Sequence, residues 1–187
     1  MNIRAKRREA AIDNMANYLL AHGLEAATLR QLAEAAGTSD RMLLYYFSDR
    51  DELLSATLER IAARLSARLD VIIPPGERRP FAALLLDVRT ALQSEELAPY
   101  MDIWLNLSAG ACGNRAPHSR IAGAIADRFL AWATDRIAGV DQKAREDEAA
   151  LVVAVLNGLH VLQTIGRVDV ADTALARLAS CQGIIQR

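Results

Sequence analysis

The chain has 187 residues and a formal net charge of −1, which gives no overall bias towards an anionic partner but can hide a local one. Hydrophobic residues make up 52% of the chain and aromatic residues only 5%, so strong helix formers dominate and a sheet of many short strands is disfavoured. No run of about 18 apolar residues is free of charged or polar breaks, which excludes an evident membrane span.

The chain opens with a basic segment that carries four cations and no acid within residues 1–8. This segment can be a frayed, solvated terminus or an arm that meets an anionic surface, and charge alone does not separate the two. Apolar residues then recur at helical spacing over residues 5–22, and Gly23 is placed to end this first helix. The four cations are Arg4, Lys6, Arg7 and Arg8.

Two short helices are predicted next, with a tight turn between them. Thr28 and Gln31 fit a capping box at the start of the second helix, and Gly37 ends that helix after a few turns. Ser39 can cap a third helix that begins near Asp40. Two short helices joined by a glycine-containing turn are typical of a helix-turn-helix.

The apolar run MLLYYF, residues 42–47, can be a buried strand or a short helix with two faces. A helix places Leu43 and Phe47 four residues apart on an inner face, whereas a strand would put Tyr45 on the face of Leu43. We interpret the run as a helix that is half core and half presented surface. The outward positions are then Asp40, Arg41, Leu44 and Tyr45, with Met42 and Tyr46 at the flanks.

The remainder of the chain is also predicted to be helical. Ser48 is expected to cap a long fourth helix over about residues 49–72, with three acids in its first turn. The segment PPGERRP, residues 74–80, breaks the chain, and further helices are expected near residues 80–93, 95–110, 117–139, 143–166 and 170–185.

Over residues 8–54 the sequence resembles the TetR family of bacterial transcriptional regulators. The resemblance is carried by a first helix that ends in AHG, followed by ATLRQLAEAAGTS, LLYYF and SDRDELL. It implies an all-α protein with an N-terminal three-helix helix-turn-helix DNA-binding head, residues 1–50, and a larger C-terminal helical ligand-binding and dimerisation bundle, residues 51–187. Residues 73–187 contain no motif that matches the family.

By this resemblance the third helix is the recognition helix, Arg30 and Arg50 lie at basic DNA-contact positions, and Tyr45 lies where an aromatic meets the DNA backbone. Arg41 can pair with guanine, and Asp40 can accept from cytosine or simply stabilise the helix N-terminus. Departures at Asp40, Leu44 and Tyr46 leave the operator sequence open. The expected DNA-contacting residues are Arg4, Lys6, Arg7, Arg8, Thr28, Arg30, Ser39, Asp40, Arg41, Met42, Leu44, Tyr45, Tyr46 and Arg50.

The segment LVVAVLNGLHVLQTIG, residues 151–166, is apolar nearly all round, so we expect one side of it to meet a second subunit. By resemblance this helix and the last one form a four-helix interface between two subunits. Asn157, His160 and Thr164 form a polar line that is either satisfied in the core or interface, or faces a ligand cavity. The expected dimerisation residues are Ala154, Val155, Gly158, Leu159 and Leu162.

Aromatic and apolar residues also gather in YMDIWLNLSAGAC and IADRFLAWATDR. Core packing explains these segments as well as an apolar pocket for a small, largely hydrophobic effector does. The expected ligand-binding residues are Met101, Trp104, Leu105, Ser108, Phe129, Trp132, Asn157, His160 and Thr164.

We therefore expect a ligand-responsive transcriptional regulator, a repressor that binds a pseudo-palindromic operator in double-stranded DNA as a homodimer. An enzyme is disfavoured because His22, His118 and His160 lie in separate segments with no nucleophile–base spacing. A helical scaffold would lack salt-sensitive duplex binding. Cys112 and Cys181 show no metal spacing and no signal segment is evident, so we expect a cytoplasmic protein without metal, cofactor or membrane partner.

Overall fold

The computed structural model describes residues 3–113 and 116–185, with side chains described in these ranges as far as residue 178. The described residues form nine α-helices and one short 3₁₀ helix, with no strand, which confirms the expected all-α class. The helices are α1 (Ile3–His22), α2 (Leu29–Ala35), α3 (Asp40–Tyr46), α4 (Arg50–Ile72), α5 (Phe81–Leu92), α6 (Ala98–Ala111), α7 (His118–Arg136), α8 (Gln142–Thr164) and α9 (Val168–Ile185), and the 3₁₀ helix is Leu24–Ala26.

The chain divides into two compact units. Unit 1 comprises Met1–Arg68 and Glu95–Ala126, and unit 2 comprises Leu69–Ser94 and Asp127–Arg187. Both α4 and α7 therefore supply residues to each unit. No helix in the described part of the chain has the length and apolar character that crossing a membrane requires.

Unit 1 contains the predicted head, and its core follows from the helical spacing of its apolar residues. Met15 and Leu19 of α1 are fully buried, together with Leu32 of α2 and Leu43 of α3. The first helix packs against α2, α2 packs against α3, and α6 packs against α1 and the 3₁₀ helix. A short helix such as α3 has few backbone hydrogen bonds within itself, so its stability and position depend on this packing.

Unit 2 is held by packing among α5, α8 and α9 and by one buried cation. Arg136 is only 4% exposed, and its guanidinium donates to Asp70 Oδ1 at 2.6 Å and to the Ile73 carbonyl at 2.9 Å. Trp132 Nε1 donates to the same Asp70 oxygen at 2.8 Å, and the guanidinium lies over the Trp132 ring. The burial is possible because the charge is paired and several of its N–H groups have acceptors.

Two local predictions need correction. The first helix begins at Ile3, so the four basic residues are helical and do not form an irregular arm. The fourth helix begins at Arg50 and is capped by Asp49, whose Oδ1 accepts from the Glu52 N–H at 2.7 Å. Ser48 was the expected cap, but its own N–H instead donates to Glu52 Oε2 at 2.6 Å.

Candidate nucleic-acid interface

Side-chain caps fix the starts of α2 and α3. Thr28 Oγ1 accepts from the Gln31 N–H and Ser39 Oγ accepts from the Met42 N–H, each at 3.3 Å. The reciprocal half of the predicted capping box does not form, because the Thr28 N–H bonds to the Ala26 carbonyl at 2.9 Å. A hydroxyl that accepts a backbone N–H still has an O–H to donate, and that of Thr28 is directed to Gln31 Oε1 at 2.5 Å. The expected DNA contacts of Thr28 and Ser39 stay predictions.

The turn between α2 and α3 depends on Gly37, which has a φ of +66°. Residues with a Cβ rarely adopt this left-handed conformation, and glycine adopts it freely. The turn is closed by bonds from the Gly37 N–H to the Glu34 carbonyl at 3.0 Å and from the Thr38 N–H to the Ala33 carbonyl at 2.9 Å. Together these features set the direction in which α3 leaves the turn.

The helix α3 has the two faces that its sequence predicts. Leu43 is fully buried and Phe47, at its C-terminal cap, is 1% exposed, whereas Tyr45 is 56% exposed and Leu44 is 47% exposed. Asp40, Arg41 and Met42 are also exposed, and Tyr46 is half-buried. The strand alternative for this segment is therefore wrong. A short exposed helix face of this kind fits the major groove of B-DNA.

The start of α1 lies against the end of α3. Arg4 Nη2 donates to the Tyr45 carbonyl at 2.8 Å, and its guanidinium carbon lies 4.5 Å from the centre of the Tyr45 ring. Tyr46 meets the same ring edge-on, with 5.8 Å between the ring centres. The Tyr45 side chain is therefore exposed and yet contacted by two neighbours.

Arg8 is turned towards the interior of the head. Its Nη2 donates to Glu52 Oε1 at 2.9 Å, and its guanidinium lies 4.6 Å from the centre of the Phe47 ring. Hydrogen bonds from Ser48, its N–H above all, lower the pKa of Glu52 with help from Arg8, against the opposing effect of burial. The structure thus gives Arg8 a role in joining α1 to α4 that the sequence prediction did not include.

The other basic residues of the predicted site differ in how much they are engaged. Lys6, Arg7, Arg30 and Arg41 are exposed. Arg50 is exposed as well, but its Nη2 donates to the Ala27 carbonyl at 3.0 Å and so fixes the segment before α2. Arg7 lines a shallow groove with Thr38, Met42 and Tyr46 beside the turn.

A chain of ion pairs also joins α1 to α4. Arg60 donates to Glu9 and Asp13, and Arg64 donates to Asp13 at 2.6 Å and to Asn17 at 2.7 Å. Burial alone would raise the pKa of Asp13, but the hydrogen bonds and charges of the two arginines outweigh it and hold that pKa below the ordinary value. No local sequence pattern indicates these pairs, because the partners lie far apart along the chain.

The residues expected to bind an effector are divided between the two units. Met101 is buried and Trp104, Leu105 and Ser108 are half-buried in unit 1, whereas Phe129 and Trp132 belong to unit 2. Phe129 stacks on Trp132 with 5.4 Å between ring centres, and the Trp132 indole N–H is already bonded to Asp70. For this aromatic pair the structure favours the packing explanation, which the sequence had left open.

The polar line on α8 is largely satisfied by the helix itself. Asn157 Nδ2 donates to the Val153 carbonyl at 2.7 Å, and Thr164 Oγ1 donates to the His160 carbonyl at 3.0 Å. His160 Nε2 is buried and has no hydrogen-bond partner among the described residues. His160 therefore remains the member of the line that is best suited to a ligand.

One of the five expected dimerisation residues faces inwards. Leu159 is 4% exposed in the single chain, because it continues the buried face of α8 that contains Ala149, Val152 and Leu156. Ala154 and Gly158 are exposed, and Val155 and Leu162 are half-buried. Leu151, Val161 and Ile165, which are outside the predicted set, are exposed apolar residues on the same face as Ala154 and Gly158.

Comparison with known proteins agrees with this geometry. Residues 15–57 match the family model described as bacterial regulatory proteins, tetR family. The chain is 26% identical over 178 residues to the HTH-type transcriptional regulator PksA of Bacillus subtilis, a match that covers 92% of this chain and 86% of PksA.

Solved structures share the fold at lower identity. The crystal structure of a TetR-family transcriptional regulator from Rhodococcus sp. has a TM-score of 0.69 at 20% identity and covers 95% of this chain and 98% of that one. The multidrug binding protein EbrR, solved in complex with proflavin, has a TM-score of 0.65 at 21% identity and covers 92% of this chain and 99% of EbrR.

The capped α2, the glycine turn and the exposed face of α3 define a helix-turn-helix DNA-binding protein. The family model describes bacterial regulatory proteins, and PksA is an HTH-type transcriptional regulator. The chain is thus similar to the TetR family of transcriptional regulators over residues 15–57, and to the regulator PksA over most of its length.

Proposed function

We propose that this protein is a ligand-responsive repressor that binds a pseudo-palindromic operator in double-stranded DNA as a homodimer. The DNA-binding part rests on the two faces of α3. One face buries Leu43 and the cap residue Phe47, and the other exposes Arg41, Leu44 and Tyr45. A face of this size and chemistry enters the major groove, where base edges can be distinguished. The proposed head is residues 1–50, the proposed effector and dimer region is residues 51–187, and we place the protein in the cytoplasm, where its DNA lies.

The exposed side chains suit different contacts. Arg41 lies in the first turn of α3, and a guanidinium there can bond to both acceptors of a guanine edge. Lys6, Arg7 and Arg30 are exposed cations outside α3, which suits them to phosphates that fix register without reading sequence. Asp40 stands at the N-terminus of α3, where a carboxylate stabilises the helix dipole whether or not it meets a base.

The dimer part is supported by a stripe on α8 and its C-cap residue, defined here as Leu151, Ala154, Gly158, Val161 and Ile165. All five are exposed, and their spacings of three and four residues place them on one helix face without a charge. Small residues at its centre, Ala154 and Gly158, allow a second helix to approach closely. An exposed apolar stripe of this kind is costly in water, and a second copy of the chain covers it symmetrically.

The effector part is supported by one protein of the same fold and by one buried histidine of this chain. The multidrug binding protein EbrR shares the fold and was solved in complex with proflavin, which supports a small-molecule effector. In the present chain, His160 Nε2 is buried without a partner among the described residues and offers one polar contact. We propose a small, largely hydrophobic effector that reduces operator affinity when it binds.

Duplex selection from a random-sequence library tests the DNA-binding proposal. The purified protein should enrich a two-fold symmetric sequence, and its affinity should fall steeply with salt because phosphate contacts release counterions. An enriched sequence without two-fold symmetry would contradict the dimer, and salt-insensitive or absent duplex binding would leave a helical scaffold as the better account.

Single substitutions then separate base contacts from phosphate contacts. Arg41→Ala should weaken the selected duplex by about 1–3 kcal/mol and random DNA by less, as expected for a base-reading arginine. Arg30→Ala serves as the control, because loss of a phosphate contact should weaken both duplexes by similar factors. Equal losses for Arg41→Ala on the two duplexes would assign Arg41 to phosphate instead.

A further inference from the structure

Arg4 lies near the N-terminus of α1, where the helix dipole disfavours a cation, so a contact with another element must stabilise it there. It lies in the first turn of α1, and that turn contains no acid. A cation near a helix N-terminus is disfavoured by the helix dipole, whereas a cation near a C-terminus is favoured. The Arg4 guanidinium reaches the C-terminal end of α3, where it donates to the Tyr45 carbonyl at 2.8 Å.

The same guanidinium also contacts the Tyr45 ring, at 4.5 Å from its centre. The last four carbonyls of a helix have no partner within the helix, so the bond from Arg4 satisfies one of the free groups of α3. A planar guanidinium can stack on a ring and donate a hydrogen bond at the same time, which an ammonium does less well. Arg4 therefore holds both the backbone and the side chain of residue 45.

Tyr45 is 56% exposed, and in the absence of these contacts its ring would sample several rotamers. Arg4 lies on the ring and Tyr46 meets it edge-on at 5.8 Å, so the two neighbours restrict the directions in which the hydroxyl can point. A phosphate contact made by a preordered side chain loses less conformational entropy on binding.

We propose that Arg4 is a positioning residue for DNA binding, which acts through the ring of Tyr45 and not through a phosphate of its own. The proposal rests on the proposed operator binding and adds a specific link between the start of α1 and the recognition helix. It also differs from the sequence-based expectation, in which Arg4 contacts DNA directly, as Lys6 and Arg7 do.

A double-mutant cycle on the selected duplex tests this link. Arg4→Ala is measured in the wild-type and Tyr45→Leu backgrounds, and Lys6→Ala is measured in both as the control that removes the same charge from a neighbouring exposed position. In the wild type, Arg4→Ala should weaken binding about two- to fivefold more than Lys6→Ala, the size expected for one exposed cation–π contact. In the Tyr45→Leu background this excess should disappear, although the residue 45 carbonyl is still present.

Persistence of the full excess in the Tyr45→Leu background would show that Arg4 contacts DNA itself and would overturn the proposal. Equal effects of Arg4→Ala and Lys6→Ala in the wild type would also overturn it, because Arg4 would then act as charge alone. Arg4→Lys should recover only part of the loss, since lysine keeps the charge but not the planar stack.

Aromatic NMR of the free protein separates this inference from the proposed function. The Tyr45 ring resonances should shift in Arg4→Ala and stay in place in Lys6→Ala, with unchanged melting temperatures excluding a general loss of fold. Unmoved Tyr45 resonances would remove the contact and the inference, whatever the DNA result. A wild-type protein that enriches no duplex would remove the proposed function and the DNA role of Arg4 with it.

Discussion

Leu43 and Leu44 are chemically identical neighbours in α3, and the structure gives them opposite surroundings. Leu43 is fully buried on the inner face of α3, whereas Leu44 is 47% exposed. The burial of Leu43 anchors the helix to the rest of unit 1, while Leu44 belongs to the face available to DNA. This pair allows stability and recognition to be tested with the same substitution.

Leu43→Ala should lower the free energy of unfolding by about 2–5 kcal/mol, because it removes buried methyl groups and leaves a cavity. Leu44→Ala is the matched control and should change the free energy of unfolding by no more than about 0.5 kcal/mol. Urea unfolding followed by circular dichroism measures both. Similar losses for the two variants would show that the faces of α3 are assigned wrongly.

Tyr45→Phe removes only an outward hydroxyl and keeps the ring against Arg4. We expect an unchanged melting temperature and operator binding weaker by about 0.5–3 kcal/mol, a range that covers a hydrogen bond to a neutral group and one to a charged phosphate. Fluorescence anisotropy with the selected duplex measures the binding. A variant that melts early but binds the operator normally would contradict the outward orientation of this side chain.

At the scale of the elements, α1 and α4 are joined by charged groups as well as by apolar packing. Asp13 receives hydrogen bonds from Arg60 and Arg64, and Glu52 receives them from Ser48 and Arg8. The pKa values of both carboxyls lie below their ordinary values, so their charged forms are favoured by folding. The pairing of the two helices should therefore weaken in acid.

A carboxyl whose pKa is lower in the folded protein stabilises the fold above its unfolded pKa, about 4, and loses that contribution as the pH falls through the folded value. Asp13→Asn removes the titrating group, so its free energy of unfolding should fall less between pH 7 and low pH than that of the wild type. Glu34→Gln, a change at an exposed acid on α2, is the control. The idea fails if Asp13→Asn and the wild type lose stability in parallel over this range.

The elements of the head were predictable because their signals are local. The caps Thr28 and Ser39, the turn residue Gly37 and the four-residue spacing of Leu43 and Phe47 all act within one or two helical turns. The predicted start of α1 is two residues late, because Arg4 is held by a residue 41 positions away. The predicted cap of α4 is one residue early, because the Ser48 N–H donates to Glu52 Oε2 and Asp49 caps the helix.

For the whole molecule, the limit of sequence reasoning is the choice of face on a helix that is apolar nearly all round. Periodicity predicts α8 as a helix with more apolar surface than one chain is expected to bury. It does not predict whether Leu159 or Val161 is buried, because that depends on where α5 and α9 pack. The structure buries Leu159 within unit 2 and leaves Val161 43% exposed, on the stripe with Gly158. The proposed partner surface is therefore shifted around the helix from the predicted one.

Gly158 allows this proposed surface to be tested without disturbing the single chain. A Cβ built at Gly158 meets no atom within 4 Å, and the same holds for Gly123, an exposed glycine of α7 that lies outside the stripe. Both substitutions to arginine replace a poor helix former by a good one, so both variants should fold. Only Gly158→Arg would place an unpaired charge in the interface, where burial costs several kcal/mol.

We therefore expect the wild type and Gly123→Arg to show twice the 20.4 kDa chain mass in light scattering at micromolar concentration, and Gly158→Arg to show a single chain with unchanged helical content. Operator affinity should fall for Gly158→Arg, because a monomer binds one half-site at a time and loses the advantage of linked sites. A wild-type monomer would remove the dimer proposal altogether. A dimeric Gly158→Arg would instead move the interface to another face of the protein, since no interface that buries Gly158 closely could hold an arginine there.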